Sequence, residues 1–164
     1  IVLQDAVLFE TTIAENIKYG KDDATIEEII RSAEMSNSDY FINRLPNKYD
    51  TMLSESGGNL SQGQRQLLTI ARTILADPKI LILDEATSSV DTRTEKNIQD
   101  AMARLMKDRT SLIIAHRLST IQDADIIIVM DDGKVVEQGN HKELLKQKGK
   151  YYNLYQTQFA GNQI

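Results

Sequence analysis

Ile80-Leu81-Ile82-Leu83-Asp84-Glu85 is an apolar run closed by two carboxylates, and its reading decides the fold. The run is too short for a helix and apolar on both faces, which predicts a central strand of a parallel sheet covered on both sides. The two acids follow at its carboxyl end, where neither serves a core and side-by-side negative charge is costly. Ligands of open α/β sheets bind in the crevice beyond the carboxyl ends of the strands. A bound cation would explain the pair; a helix N-cap on a loop is the other explanation.

Downstream, Thr92 to Lys107 carries Ile98, Ala101, Met102 and Leu105 on one helical face, and Ser111 to Ala115 reads as a second buried strand ending at His116. Strand, helix, strand in this order predicts a right-handed parallel crossover. It places Asp84, Glu85 and His116 at one end of the sheet. A carboxylate for Mg²⁺, a second to polarise water and a histidine to contact phosphate suit the hydrolysis of a nucleotide. Taken alone, His116 reads as a capping or core histidine. Ile126 to Met130 is a third strand, turned by Asp131-Asp132-Gly133 into Lys134 to Glu137 as a hairpin at the sheet edge. A charged helix, His141 to Lys148, and Tyr151, Tyr152 and Tyr155 on an amphipathic terminal helix follow.

Upstream, Ser61 and Gln64 have capping-box spacing at the head of a helix that runs to Ala76, with Leu67, Leu68, Ala71, Ile74 and Leu75 as its apolar stripe. Asn59-Leu60-Ser61-Gln62-Gly63-Gln64 thus leads into a helix N-terminus, whose unpaired N–H groups and positive dipole end suit a phosphate. Ser61 would add a hydroxyl donor, or would merely cap its helix. Before it, Thr25 and Glu28 repeat the capping-box spacing at the head of an amphipathic helix reaching Met35. A short helix spans Asp39 to Leu45 before Pro46, and Asn47 to Asn59 reads as a long surface loop. The first twenty residues are expected to be a loop entering a short helix.

At 164 residues the chain is of single-domain size, and its acidic balance, 24 Asp and Glu against 19 Lys and Arg, excludes a general basic face for nucleic acid. It has no cysteine, hence no disulfide. The longest apolar runs fall far short of the roughly 20 residues of a membrane span. Opening on Ile1-Val2-Leu3, the sequence reads as a piece of a longer protein.

Taken together these segments resemble the later part of the nucleotide-binding domain of an ATP-binding-cassette (ABC) transporter. Leu60 to Gln64 resembles the family's signature sequence, Ile80 to Glu85 its Walker B strand and Ser88-Ser89-Val90-Asp91 its D-loop. His116 stands where the switch histidine stands, and Gln4 matches the glutamine of the Q-loop. The resemblance implies an α/β fold: part of a P-loop NTPase (RecA-like) parallel sheet with helices on both faces, plus an α-helical subdomain. Residues 1–8 would be a Q-loop remnant, 9–76 the helical subdomain ending in the signature loop and helix, and 77–164 the later ATPase core. It further implies ATP and Mg²⁺, with Asp84 and Gln4 at the metal, Glu85 as base toward the attacking water, and His116 and Gln4 sensing the γ-phosphate. Ser61, Gln62, Gly63 and Gln64 would serve an ATP held mainly by a second nucleotide-binding domain, and Asp91 would couple the two sites. The helical subdomain would dock on the transmembrane domain, at the cytoplasmic face of the cell membrane.

Gln4 through Phe9, Thr12 through Ile17, and Glu55 to Asn59 are similar to exporters of drugs, lipids or peptides. Gln62 replaces the commoner glycine of the signature, as in one partner of heterodimeric exporters or as a tolerated variant in a homodimer. No G-x-x-x-x-G-K-[ST] occurs in the 164 residues. The isolated chain is therefore expected not to hydrolyse ATP, to expose positions such as Ile82 and Ile113, and to self-associate. Rival readings are a soluble importer ATPase subunit, a chromosome-maintenance or DNA-repair ATPase, and a non-catalytic module offering its signature loop to a P-loop-bearing partner.

Overall fold

The computed structural model describes residues 7–84, 91–115 and 121–160, in two compact units, Ile1–Ile114 and Ala115–Ile164. Gln4, Glu85, Ser88, Ser89, Val90 and His116 lie outside the described residues.

The first unit is organised by one helix. It contains α1 (Ile13–Lys18), α2 (Ile26–Met35), α3 (Asp39–Ile42), α4 (Gln62–Ala76), β1 (Ile80–Asp84), α5 (Thr92–Met106) and β2 (Thr110–Ile114). What reads as one stripe on α4 is two. Leu68, Ala71 and Leu75 join a core with Ile13, Ile17, Ile29, Ala33 and Ile42, whereas Leu67, Ile70 and Ile74 join another with Leu81, Leu83, Ile98, Ala101 and Leu105. Successive i, i+3, i+7 rows lie side by side on a helix, so α4 holds a helical layer on one flank and the sheet layer on the other.

Both expected capping boxes form: Thr25 with Glu28 heads α2, and Ser61 with Gln64 heads α4. Each cap contributes about 1 kcal/mol. At its far end α4 stops in a left-handed Asp77 (φ 45°) before Pro78.

β1 and β2 pair in parallel, Ile80 opposite Thr110 through Asp84 opposite Ile114, with α5 between them in sequence, as the strand–helix–strand reading requires. Four expectations need correction in this unit. Leu81 and Leu83 are buried, but Ile80 is 68% exposed, so among the described residues β1 is covered on one face only. β2 is not a buried strand: Leu112 and Ile114 are exposed and Ile113 half-buried, because α4 and α5 cover the face that carries Leu81, Leu83 and Ile113. The exposure expected at Ile82 and Ile113 thus falls on Ile80, Leu112 and Ile114 instead. Residues 47–59 are not simply a surface loop either. They form 3-10 turns at Lys48–Asp50 and Glu55–Gly57, and Leu53 between them is 2% exposed, its N–H bonded to the Thr11 carbonyl.

The second unit is the hairpin β3 (Ile127–Asp131) and β4 (Lys134–Gly139), then α6 (His141–Gln147) and α7 (Lys150–Ala160). Asp132 (φ 46°) and Gly133 (φ 73°) make the tight turn, both left-handed as a two-residue hairpin of this twist demands. Val129 pairs with Glu137 but Met130 with Val135, so Val136 is a bulged residue. Among the described residues the hairpin is a two-stranded sheet of its own rather than the edge of a larger one. Ile127, Val129, Leu144 and Tyr151 form its core. Tyr151 meets His141 Nδ1 through its hydroxyl at 2.7 Å, so the tyrosines do pack the terminal helix, Tyr151 foremost. Glu137 accepts the N–H groups of Lys150 and Tyr151 at 2.5 and 2.9 Å, a carboxylate from β4 capping α7.

Candidate functional site

The signature-like loop is built from behind. Asn59 Oδ1 accepts the Ser54 N–H at 3.2 Å while its Nδ2 donates to the Met52 carbonyl at 3.0 Å, which fixes the approach to Leu60. Gly57 sits at φ 70° with space for a side chain already filled: a Cβ there would lie 2.9 Å from Leu8 Cδ1 and 3.1 Å from Arg65 Cδ. Arg65 in turn donates to the Leu60 carbonyl at 2.7 Å.

Within the cap, the Gln64 N–H donates to Ser61 Oγ at 3.3 Å and the Ser61 N–H donates to Gln64 Oε1 at 2.9 Å. Ser61 is exposed and Gly63 buried. The N–H groups of Gln62 and Gly63, in the first turn of a 15-residue helix, have no intrahelical acceptor, and with the Ser61 hydroxyl they present donors at the positive end of α4. Ser61 Oγ caps the helix as an acceptor, which leaves its own O–H available as a donor, so the cap does not preclude an anion at this end.

Asp84 ends β1 opposite Ile114 and is half-buried. It supplies a hard oxygen at the carboxyl end of the parallel pair, the end where a metal-bound phosphate would sit. Asp91, at the end of the D-loop-like stretch, is the N-cap of α5: its carboxylate accepts the Thr94 N–H at 3.0 Å. Gln4, Glu85 and His116 lie outside the described residues, so the sequence-derived set is represented by Asp84, Asp91 and Ser61 to Gln64.

Hydrogen bonds from the Thr94 side chain and N–H hold the Asp91 carboxyl below the usual carboxylate range. A depressed folded-state pKa contributes stability that is present above the unfolded value, near pH 4, and is lost as pH falls through the lower folded value. Asp91→Asn keeps a capping oxygen that does not titrate. Its urea midpoint is expected to fall less steeply than the wild type's between about pH 4 and pH 2. Equal slopes would show that the Asp91 cap carries none of the acid sensitivity.

One group was missed by sequence reasoning. Arg72, on α4, donates through Nε to the Asn16 carbonyl (2.8 Å), through one terminal nitrogen to the Val7 carbonyl (2.9 Å) and through the other to Asn16 Oδ1 (3.0 Å). The rings of Phe9 and Tyr19 lie 5.3 and 5.4 Å from its guanidinium carbon, and burial pushes its pKa down. Asn16, 1% exposed, also donates to the carbonyls of Phe9 and Thr12 and accepts from the Phe9 N–H. Arg72 therefore fastens the segment that follows Gln4 to the signature helix. The signal available in the sequence was an arginine between Ala71 and Thr73, inside a stretch otherwise apolar or small.

Residues 1–88 match the family model described as ABC transporter. The chain is 58% identical over 158 residues to an uncharacterized ABC transporter ATP-binding protein of Bacillus subtilis, a match covering 96% of this chain and 26% of the relative. It is 58% identical over 154 residues to a fatty acid ABC transporter ATP-binding/permease protein of Mycobacterium bovis, covering 94% of this chain and 24% of the relative. Among solved structures, a bacterial Atm1-family ABC exporter with ATP bound superposes with a TM-score of 0.87 at 46% identity, over 96% of this chain and 27% of that one. The chain thus spans about a quarter of the length of the relatives it matches.

Proposed function

The chain belongs to the ABC transporter family, and on that premise we propose that it is the signature-to-switch portion of an exporter's nucleotide-binding domain, coupling ATP hydrolysis to the movement of drugs, lipids or peptides. The observation that carries this reading is the first turn of α4. There Ser61, Gln62 and Gly63 gather a hydroxyl and two backbone N–H groups at a helix N-terminus, a donor set for a phosphate. In the assembled transporter these residues and Gln64 grip an ATP held mainly by a second nucleotide-binding domain, identical or different, and Asp91 links the paired sites.

The donors fit the expected cofactors. Mg²⁺ would be held by Asp84 through water, with Gln4 beside it, in keeping with an ion that retains most of its waters. When bound, the ion neutralises charge on the phosphate oxygens. Glu85 accepts a proton from the attacking water at its carboxylate, and His116 and Gln4 orient the terminal phosphate. Among the described residues no helix is long and apolar enough to cross a membrane. Residues 9–76 instead dock on a transmembrane domain at the cytoplasmic face. Phe9 and Tyr19 support this: both rings are exposed, with centroids 4.7 Å apart, and form an aromatic contact patch beside the Arg72 anchor.

A second reading is favoured by one observation, the absence of G-x-x-x-x-G-K-[ST] from these 164 residues. Without that cradle the chain by itself is half a site. Wild type and Glu85→Gln are expected to show the same background ATP turnover; a rate above background that the substitution abolishes would overturn the half-site. Adding a fragment that carries the missing motif is expected to restore Glu85-dependent turnover. Stable association without turnover would identify an interaction module instead.

A further inference from the structure

Behind the signature cap, α3, α4 and α5 enclose a cavity of about 290 Å³. Phe41 and Leu67 give it an apolar floor. At its rim stands Tyr40, exposed, with the guanidinium carbon of Arg44 3.8 Å from the ring centroid and that of Arg93 5.6 Å from it. Arg44 comes from the turn after α3 and Arg93 from the first turn of α5, so the fold brings two cations from distant parts of the chain onto one ring.

Each arginine has its own cation–π contact with the ring, and the two centroid distances keep the guanidinium carbons within about 9 Å of each other, so both charges act on one small volume at the cavity mouth. Among the described residues neither guanidinium has a carboxylate within ion-pairing distance or a hydrogen bond. In a chain with more acids than bases, that is an unneutralised pair at the mouth of an apolar cavity. Guanidinium forks match the oxygens of a phosphate in a way that a water shell or a neutral ligand does not. The volume is at the low end for small-molecule sites, enough for one ring or short chain and its head, and too small to be a nucleotide site.

We infer that this cavity is a binding site for a small organic phosphate monoester, its apolar body on Phe41 and Leu67 and its phosphate between Arg44 and Arg93. The site goes beyond the hydrolytic reading. Gln64 lines the cavity while its Oε1 holds the Ser61 N–H, so an occupant touches the back of the signature cap. The ligand class is an effector rather than a substrate.

Phenyl phosphate is the probe, titrated into the full chain while the arginine Nε–H and backbone amide resonances are followed by NMR; inorganic phosphate and benzyl alcohol are the separate head and body. Saturable shifts are expected at the Arg44 and Arg93 Nε–H groups and at the Gln64 amide. Affinity is expected to fall about tenfold or more in Arg44→Gln and in Arg93→Gln, the loss of one charge-assisted pair. Both side chains are exposed, so the fold should survive, and unchanged spectra away from the cavity will verify it. Inorganic phosphate and benzyl alcohol should each bind at least about tenfold more weakly than the ester. Absence of saturable shifts at both arginines, affinity indifferent to both substitutions, or inorganic phosphate binding as tightly as the ester would each overturn the site. None of these readouts involves ATP turnover, so they fail or succeed independently of the hydrolytic function.

Discussion

Gly20→Ala is expected to lower the unfolding free energy of the first unit by about 3 kcal/mol, the upper part of the usual range for overpacking. A Cβ at this position would lie 2.2 Å from the carbonyl oxygen of Arg72, 3.2 Å from its carbonyl carbon and 3.3 Å from the Ala76 nitrogen. All three are backbone atoms of α4, so no rotamer change relieves the clash. The end of α1 must instead withdraw from α4 and loosen the core that Ile13 and Ile17 share with Leu68, Ala71 and Leu75. Gly58→Ala is the control: there the nearest atom, at 3.1 Å, is the Ser54 hydroxyl, which can rotate away. Urea midpoints read by helical circular dichroism should separate the two variants clearly. If they shift equally, the close approach of α1 to α4 is wrong.

Arg72→Ala is expected to cost about 2–3 kcal/mol, because three hydrogen bonds from one charged group are lost and buried acceptors on Asn16 are left short. Arg72→Lys should recover less than half of it, since an ammonium cannot present three donors in a planar fork to two backbone carbonyls and an amide. The loss should be local first. Amide exchange at Asn16 and Ile17 should accelerate before exchange in α5, which lies in the other core. Gly20 and Arg72 meet across the same α1–α4 contact, so the double variant should lose less than the sum of the singles. Strict additivity would mean that the Arg72 anchor and the Gly20 contact are independent.

Helix heads were the most legible parts of the fold, because a capping box is a local contract between residues three apart; Thr25 with Glu28 and Ser61 with Gln64 needed nothing else from the chain. β1, α5 and β2 were legible for a related reason, a short apolar run and a clear helical period. The burial of β2 was not. Leu112 and Ile114 look like core by type, and whether such a residue is covered depends on what lies over that face of the sheet, which no window of sequence contains. The division of α4 into two stripes was hidden likewise, since adjacent rows merge in a one-dimensional reading. At the candidate site Ser61 to Gln64 and Asp84 could be picked out from residue type and place, and Asp91 only from the resemblance of its stretch to a D-loop. Arg72 could not, as its partners Val7 and Asn16 are 65 and 56 residues away.

The closed hydrogen-bond ring at the head of α4 has an energetic corollary. The Ser61 N–H already has an acceptor in Gln64 Oε1, and Ser61 Oγ already serves the Gln64 N–H. A ligand that engages the Ser61 amide gains no new bond; it exchanges one acceptor for another. A neutral oxygen offers nothing over the glutamine amide it displaces and must also immobilise itself. An anionic oxygen forms a bond about twice as strong and meets the positive helix end as well. At the Ser61 N–H the ring thus favours a charged visitor over an uncharged one, while the Gln62 and Gly63 N–H groups, outside the ring, make no such distinction by exchange.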